Sequence, residues 1–268
     1  MYRKNKPKIS KKLDKLKNIL RSYPGVVVAF SGGVDSSLLL KIAKEVLKDR
    51  VIAITAASPI HPKDEIDIAR TIAQKLKCKH IIFQSKELEN PKFVKNLKTR
   101  CYYCKIDLFK NFKRIAAKYG YDVIEGSNTS DLSDYRPGFK ALNKLGVKSP
   151  FIESNINKKE IRKLAKKFRL PNWNKPSMAC LASRIPYEKI INKKILKRIE
   201  SAEAYLKKRR LTQVRVRDHY PIARIEVLNN EFKIVLKHRK KITTYLQNLG
   251  YKYITIDLQG YQTGSLNR

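Results

Sequence analysis

The chain has 268 residues, with 60 Lys+Arg against 23 Asp+Glu, a formal net charge of +37 and 42% hydrophobic residues. That length suits one large domain or two small ones with cores of their own, and no stretch approaches the roughly 20 apolar residues of a membrane span. The basic start, Met1-Tyr2-Arg3-Lys4-Asn5-Lys6, leads into no apolar signal region, so a cytoplasmic protein is expected. The charge favours phosphate-rich partners, nucleotides or RNA. Yet the lysines are spread along the whole chain, as genome composition or life at unusual temperature or salt would also make them.

The apolar periodicity predicts an opening helix over residues 9–20, with Ile9, Leu13, Leu16, Ile19 and Leu20 on one face, closed by Pro24-Gly25. The run Val26-Val27-Val28-Ala29 reads as a buried strand and 36–48 as a helix. Val51–Ala56 reads as a second strand, 64–77 as a helix, and 80–84 as a third strand. A helix over 104–119 closes at Gly120, and Tyr121–Glu125 is a fourth strand. Strands alternating with helices imply a parallel sheet covered on both faces, with ligands at the carboxyl ends of the strands. Three such ends, Phe30–Ser37, Thr55-Ala56 and Gly126–Asp131, could share one pocket. Asn157-Lys158-Lys159-Glu160 has the form of a capping box, opening a helix that runs to Phe168.

An irregular stretch, 171–186, holds Trp173 and Cys180. Beyond a basic helix over 189–209 the pattern changes. Residues 213–217 and 222–227 alternate as half-exposed strands around the turn 218–221. A helix over 230–248 and a strand over 251–258 complete a small α+β unit. The expected domains are therefore 1–187 and 188–268.

The stretch between the first strand and its helix, Ser31-Gly32-Gly33-Val34-Asp35-Ser36-Ser37, carries the plainest chemistry. A strand, a glycine turn and a helix direct free backbone N–H groups and a helix dipole at a phosphate. Ser31, Ser36 and Ser37 add hydroxyls, and Asp35 suits a divalent cation or the turn itself. No Gly-Lys-Ser/Thr follows and the third glycine of the dinucleotide fingerprint is absent. The pattern Ser-Gly-Gly-x-Asp-Ser instead resembles the PP-loop of the ATP pyrophosphatases. The resemblance implies the adenine nucleotide alpha-hydrolase-like fold, ATP held by its pyrophosphate, and substrate activation by adenylylation. The plainer reading is a Ser/Gly turn in an ordinary α/β protein.

Of the four cysteines, Cys101 and Cys104 form a Cys-x-x-Cys at the start of a helix, where thiolates are stabilised. Cys180 is the candidate for a third ligand, and Cys78 reads as a plain buried or surface thiol. Three cysteines suit an iron–sulfur cluster with one open iron better than a structural zinc, which takes four protein ligands. An incidental or redox Cys-x-x-Cys is the other reading.

The segment Lys175-Pro176-Ser177-Met178-Ala179-Cys180-Leu181-Ala182-Ser183-Arg184 resembles the cysteine motif of the LarE-type sulfur transferases. So do Glu125–Asn128, Asp134–Gly138, Val214–Arg217, Ala223–Val227 and Asp257–Tyr261, nearly end to end. The resemblance implies an enzyme that uses ATP and Mg²⁺ to adenylylate a carboxylate of a pyridinium dicarboxylate mononucleotide. Sulfur then displaces AMP, giving the thiocarboxylate of the nickel-pincer cofactor precursor. One branch of the family sacrifices a cysteine at the position of Cys180. The other holds a 4Fe–4S cluster on three cysteines, and the Cys-x-x-Cys places this chain there. On this reading Ser31, Gly32, Gly33, Asp35, Ser36, Ser37 and Thr55 bind ATP, with Asn128 and Asp131 near the nucleotide or Mg²⁺. Cys101, Cys104 and Cys180 hold the cluster. Arg184, Arg215 and Arg217 are candidates for the substrate's phosphate and carboxylates, because guanidinium binds such groups bidentately; each could instead be a surface charge, and Arg184, beside the cysteine, is the strongest candidate. Cys180, Asp35 and Arg184 are the expected catalytic residues. Glu226 and Asp257 fall in the motifs without an assigned role. A sulfide or sulfur donor and a homo-oligomer are expected as partners. The alternative is a PP-loop tRNA thiolation enzyme with the same cluster chemistry, which the charge favours.

Overall fold

The computed structural model describes residues 8–132, 137–176 and 179–262. In chain order the first elements are α1 (Ile9–Arg21), β1 (Val26–Ala29), α2 (Val34–Leu47), β2 (Val51–Ala57), α3 (Lys63–Lys75) and β3 (Lys79–Gln84). There follow α4 (Pro91–Val94), α5 (Arg100–Ala117), β4 (Asp122–Ile124), α6 (Pro137–Lys144), α7 (Pro150–Glu153) and α8 (Lys158–Lys167). The last are α9 (Lys193–Lys207), β5 (Arg215–His219), β6 (Ile222–Glu226), α10 (Phe232–Lys237), α11 (Arg239–Asn248) and β7 (Tyr253–Ile256). They form two compact units. One comprises Met1–Ser58, Lys63–Lys86 and Cys101–Met178; the other comprises Pro59–Pro62, Glu87–Arg100 and Ala179–Arg268.

The first unit is an α/β layer structure around a four-stranded sheet in the order β3-β2-β1-β4, every pair parallel. β1 is a run of β-branched residues because it lies centrally and is buried on both faces. Its alternation divides the core. Val26 and Val28 pack on one side with Leu16, Leu38, Leu39 and Leu164 of α1, α2 and α8. Val27 packs on the other with Ile52, Phe109 and Phe112 of β2 and α5. The expected parallel sheet with helices on both faces is thus present. α8 opens on the predicted capping box, Asn157 Oδ1 accepting from Glu160 N at 3.0 Å and Asn157 N donating to Glu160 Oε2 at 2.9 Å. Glu160 also accepts from Lys12 Nζ at 2.8 Å, which ties α8 to α1.

The second unit is α+β. Its sheet runs β5-β6-β7, with β5 antiparallel and β7 parallel to β6. Leu206, Val216, Ile225, Ile242, Leu246 and Tyr251 fill the core between sheet and helices. The single helix expected over 230–248 breaks at His238 (φ −100°, ψ 11°) into α10 and α11. The segment before α5 clamps the segment after Arg184. Asn96 is fully buried at φ +56°, and its Nδ2 donates to Ile185 O at 3.3 Å and Pro186 O at 2.7 Å. Among the described residues no helix is long and apolar enough to cross a membrane.

Candidate functional site

In the first unit the loop leaves the carboxyl end of β1 and enters α2 with Gly33 as its N-cap (φ −74°, ψ 162°). Gly32 sits at φ +71°, and a Cβ there would stand 3.2 Å from the backbone nitrogen of Ala69 on α3. Both the conformation and the space therefore require glycine. The serines hold the turn. Ser36 Oγ donates to Gly33 O at 3.2 Å and accepts from Ser31 N at 3.3 Å, and Gly33 N donates to Ser31 Oγ at 3.4 Å. Ser37 Oγ and Gly32 O accept from Asn172 Nδ2 at 2.9 and 2.8 Å.

The other strand ends meet this loop in different ways. Gly126 approaches so closely that a Cβ on it would lie 3.0 Å from Ser36 N. Thr55 is buried, with its hydroxyl donating to Phe30 O at 2.6 Å and 2.7 Å from His80 Nε2. It secures the sheet directly beneath the loop. Asn128 and Asp131 cap one another: Asn128 N and Nδ2 each donate to Asp131 Oδ2 at 2.9 Å, and Asn128 Oδ1 accepts from Ser130 N at 3.1 Å. Ser130 Oγ in turn accepts from Lys158 N at 3.2 Å. These contacts bring the head of α8 beside the head of α2.

A cleft of about 130 Å³ opens there, lined by Ser31, Gly33, Val34, Asp35, Glu65, Lys158, Lys175 and Pro176. That is the scale of a phosphate chain rather than of a whole drug-sized ligand. Asp35 Oδ2 is paired with Lys158 Nζ, and Asp35 Oδ1 is buried without a hydrogen bond. A carboxylate oxygen held out of water in this way is a natural ligand for a divalent cation. Sequence patterning singled out neither Lys158 nor Asn172; both reach the loop from more than 100 residues away.

The cysteines divide between the units. All four are thiols rather than disulfides. Cys78 is buried, and burial raises its pKa, as befits an inert core thiol. Cys101 and Cys104 lie in the first turn of α5, three residues apart and so on one helical face, the former exposed and the latter half-buried. Within either unit, no three His, Cys, Asp or Glu side chains among the described residues are gathered as a metal site.

In the second unit Cys180 is half-buried and is the N-cap of a 3-10 turn, Leu181–Arg184. Two buried arginine–glutamate pairs fasten this turn. Arg184 is 0% exposed; its Nε and Nη2 donate to Glu203 Oε1 and Oε2 at 2.8 and 3.0 Å. Its Nη1 donates to Ala179 O at 2.6 Å and Cys180 O at 3.1 Å. Arg217 makes a bidentate pair with Glu226, both bonds at 2.8 Å, and donates from Nη1 to Ser183 O at 2.6 Å. Arg215 is buried, donates to Val214 O at 2.7 Å and lies over the Tyr261 ring. Desolvation, followed by the nearby Arg184 charge, lowers its pKa. The guanidiniums of Arg184, Arg215 and Arg217 are thus buried in one unit with the carboxylates of Glu203 and Glu226. Arg224 also reaches Glu226 Oε1 at 3.2 Å and lies 3.6 Å from Asp257 Oδ2. The two acidic residues without an expected role thus serve as arginine partners. In the cysteine and Asp134–Gly138 motifs, Ser177, Met178 and Asp134–Arg136 lie outside the described residues.

A parallel sheet, a Ser-Gly-Gly loop after its first strand, and a cleft at the head of the next helix define a nucleotide-binding α/β domain of PP-loop type. In agreement, residues 14–115 match the family model described as asparagine synthase. A pyridinium-3,5-bisthiocarboxylic acid mononucleotide synthase of Lactiplantibacillus plantarum is 35% identical over 92% of this chain and 91% of its own. An uncharacterized protein of Synechocystis is 38% identical over 97% of this chain and 98% of its own. Another, of Methanocaldococcus jannaschii, is 31% identical over 94% and 98%. The chain belongs to the family of the pyridinium-3,5-bisthiocarboxylic acid mononucleotide synthase, LarE, and is an ATP-using enzyme.

Proposed function

We propose that this protein is an ATP-dependent sulfur transferase that converts a carboxylate of a pyridinium dicarboxylate mononucleotide to a thiocarboxylate, as a step toward a nickel-pincer cofactor. The reading rests above all on likeness along nearly the whole chain to a synthase of that product. A carboxylate oxygen of the acceptor attacks the α-phosphorus of ATP, the α–β phosphoanhydride breaks, and pyrophosphate leaves. A sulfur nucleophile then adds to the acyl carbon and AMP departs with the C–O bond electrons. The adenylate is needed because a bare carboxylate is a poor electrophile, and a thiolate or sulfide is the right nucleophile near neutral pH.

Each residue has a part in this scheme. The N–H groups of the Gly32-Gly33 turn and the dipole of α2 receive the phosphates. The buried Oδ1 of Asp35 fits Mg²⁺, which would screen the phosphate charge. Ser36, Ser37 and Thr55 hold the loop in shape, and Asn128 and Asp131 form the wall beside α8. Arg215 is the candidate for the acceptor's phosphate, and Arg217, held by Glu226 and by Ser183 O, supports the turn that carries Cys180. Arg184 acts as a positioning residue, because its side chain is spent on Glu203 and on the carbonyls around Cys180. Thiolates are the ligands a 4Fe–4S cluster takes, and Cys101, Cys104 and Cys180 are the residues that would hold it. When bound, that cluster would supply labile sulfide at its open iron.

The test is to incubate the anaerobically prepared protein with the mononucleotide, ATP, Mg²⁺ and sulfide. AMP and thiocarboxylate should form together; AMP without thiocarboxylate would remove the sulfur-transfer reading. Because the net charge is +37, tRNA belongs in the same assay. Thiolated tRNA with an untouched mononucleotide would favour the alternative acceptor.

A further inference from the structure

Two helices of the second unit carry a column of stacked planes at their surface. Tyr205 of α9 and Tyr245 of α11 lie face to face, with ring centroids 3.7 Å apart and planes at 0°. The guanidinium of Arg209, just past the end of α9, lies 3.5 Å from the centre of the Tyr205 ring. Both are stacking distances, so the two neighbours take opposite faces of Tyr205. The column is anchored: Tyr205 Oη donates to Lys241 O at 3.0 Å, and Arg209 Nη1 donates to Tyr205 O at 2.7 Å. Beside it runs a groove of about 320 Å³, lined by Tyr205, Lys240, Lys241, Thr244, Tyr245 and Asn248. Tyr245 is half-buried, with Tyr205 over one face and the groove beside the ring. The α11 members recur at i, i+1, i+4, i+5 and i+8 and so share one helical face. Ile242 and Leu246, on the other face, pack α11 onto the core.

We propose that this groove binds a single-stranded nucleic acid, one base stacking on Tyr245 and the neighbouring phosphates lying on Lys240, Lys241 and the cations after Tyr205. Four cations in a row, Lys207–Arg210, follow Tyr205, and three, Arg239–Lys241, stand on the α11 side. No Asp or Glu occurs from Ala204 to Arg217 or from Phe232 to Ile256, so neither run is interrupted by an anion of its own segment. A base adds one more plane to the column of Arg209, Tyr205 and Tyr245, and such stacking accepts any base. Thr244 and Asn248 offer its edge a hydroxyl and an amide. An acidic protein segment would use the cations and leave the stacked ring idle. A free mononucleotide would use the ring but brings a single phosphate to two cationic runs; a strand uses both. This surface is independent of the acceptor chemistry, and the strand bound here need not itself be modified.

The test is equilibrium binding of a short labelled oligouridylate to the full-length protein across a salt series, with free UMP as competitor. Tyr245→Leu, which keeps the charge, should weaken binding roughly five- to a hundred-fold, the worth of one stacked base. Tyr245→Phe, which keeps the ring, should bind as the wild type does. Lys240→Gln with Lys241→Gln should reduce the salt slope by about 0.7 per lysine. The same charge removed from α1, as Lys11→Gln with Lys15→Gln, should have a much smaller effect. Wild-type affinity in Tyr245→Leu would overturn the proposal, as would an equal loss from the α1 variant. So would a wild-type protein that binds no oligouridylate, or UMP that binds as tightly as the strand.

Discussion

Gly32 is a residue whose replacement acts directly on the candidate site. At φ +71° any side chain is strained, and its Cβ would press on the backbone of α3 3.2 Å away. The left-handed conformation alone costs roughly 1–2 kcal/mol for a non-glycine residue. Gly32→Ala should therefore lower stability by at least about that amount and weaken ATP binding, whereas alanine at Gly120, where nothing lies within 4 Å, should cost the conformational penalty only and leave ATP binding alone. Thermal melts with an ATP titration would check both.

Arg184 and Glu203 separate a positioning role from a substrate contact. The pair is 0% and 3% exposed, and removing one partner leaves an uncompensated buried charge. Such losses run to about 3–5 kcal/mol. Arg184→Met and Glu203→Gln should each show a large drop in denaturant unfolding free energy. Their double variant should lose less than the sum, as coupled neighbours do. Unchanged stability with a selective loss of acceptor affinity would return Arg184 to the role of a direct contact.

At the scale of elements, the end of the central sheet holds a partly buried histidine whose charging makes stability depend on pH. Thr55 on β2 joins the carbonyl of Phe30 after β1 to His80 on β3. Desolvation, then the nearby charge of Arg70, lowers the pKa of His80 from 6.5. A depressed histidine binds its proton less readily in the folded than in the unfolded chain. Stability is therefore full above about pH 6.5 and falls as the pH drops from there toward the folded value. His219, lowered by desolvation first, acts in the same sense. The melting temperature should fall between pH 6.5 and 5, and His80→Gln should flatten part of that slope. A melting temperature that stays level over this range, or rises with acid, would contradict the assignment.

The elements around this bond were legible in the sequence because their signals are local. Val26–Ala29, the glycine turn, the Asn157–Glu160 capping box and the alternation in β5 and β6 each declare themselves within a few residues. The break at His238 does not, since the apolar pattern continues through it. Nothing in the local pattern assigns Pro59–Pro62 and Glu87–Arg100 to the C-terminal unit, because their ties are long-range, as with Asn96 and the carbonyls of 185 and 186. The site divides in the same way. Its loop is a contiguous motif, but Lys158, Asn172 and Glu203 come from distant positions whose residue types are common on any helix or turn. An arginine in a strand likewise gives no sign of whether it faces water or a buried glutamate; Arg217 is in the second situation.

At the scale of the whole molecule, the two units bring different chemistry to one chain. The first presents a phosphate-sized cleft with Asp35 and Lys158. The second presents a cysteine-headed turn bolted by buried arginine pairs. An adenylylating sulfur transferase needs both functions. The cluster reading adds that sulfur arrives from outside, so the enzyme should turn over repeatedly with added sulfide. Ala at Cys101, Cys104 or Cys180 should abolish sulfur transfer but spare AMP formation, and Cys78→Ala should spare both.

The most direct measurement is the intact mass of the protein and of the acceptor after several turnovers with ATP and sulfide. The account predicts an acceptor in which a carboxylate oxygen has become sulfur, and a protein of unchanged mass. An acceptor that gains no sulfur while ATP is consumed would contradict sulfur transfer. A protein lighter by one H₂S at Cys180, with Cys101→Ala still active, would replace the cluster with a sacrificed cysteine.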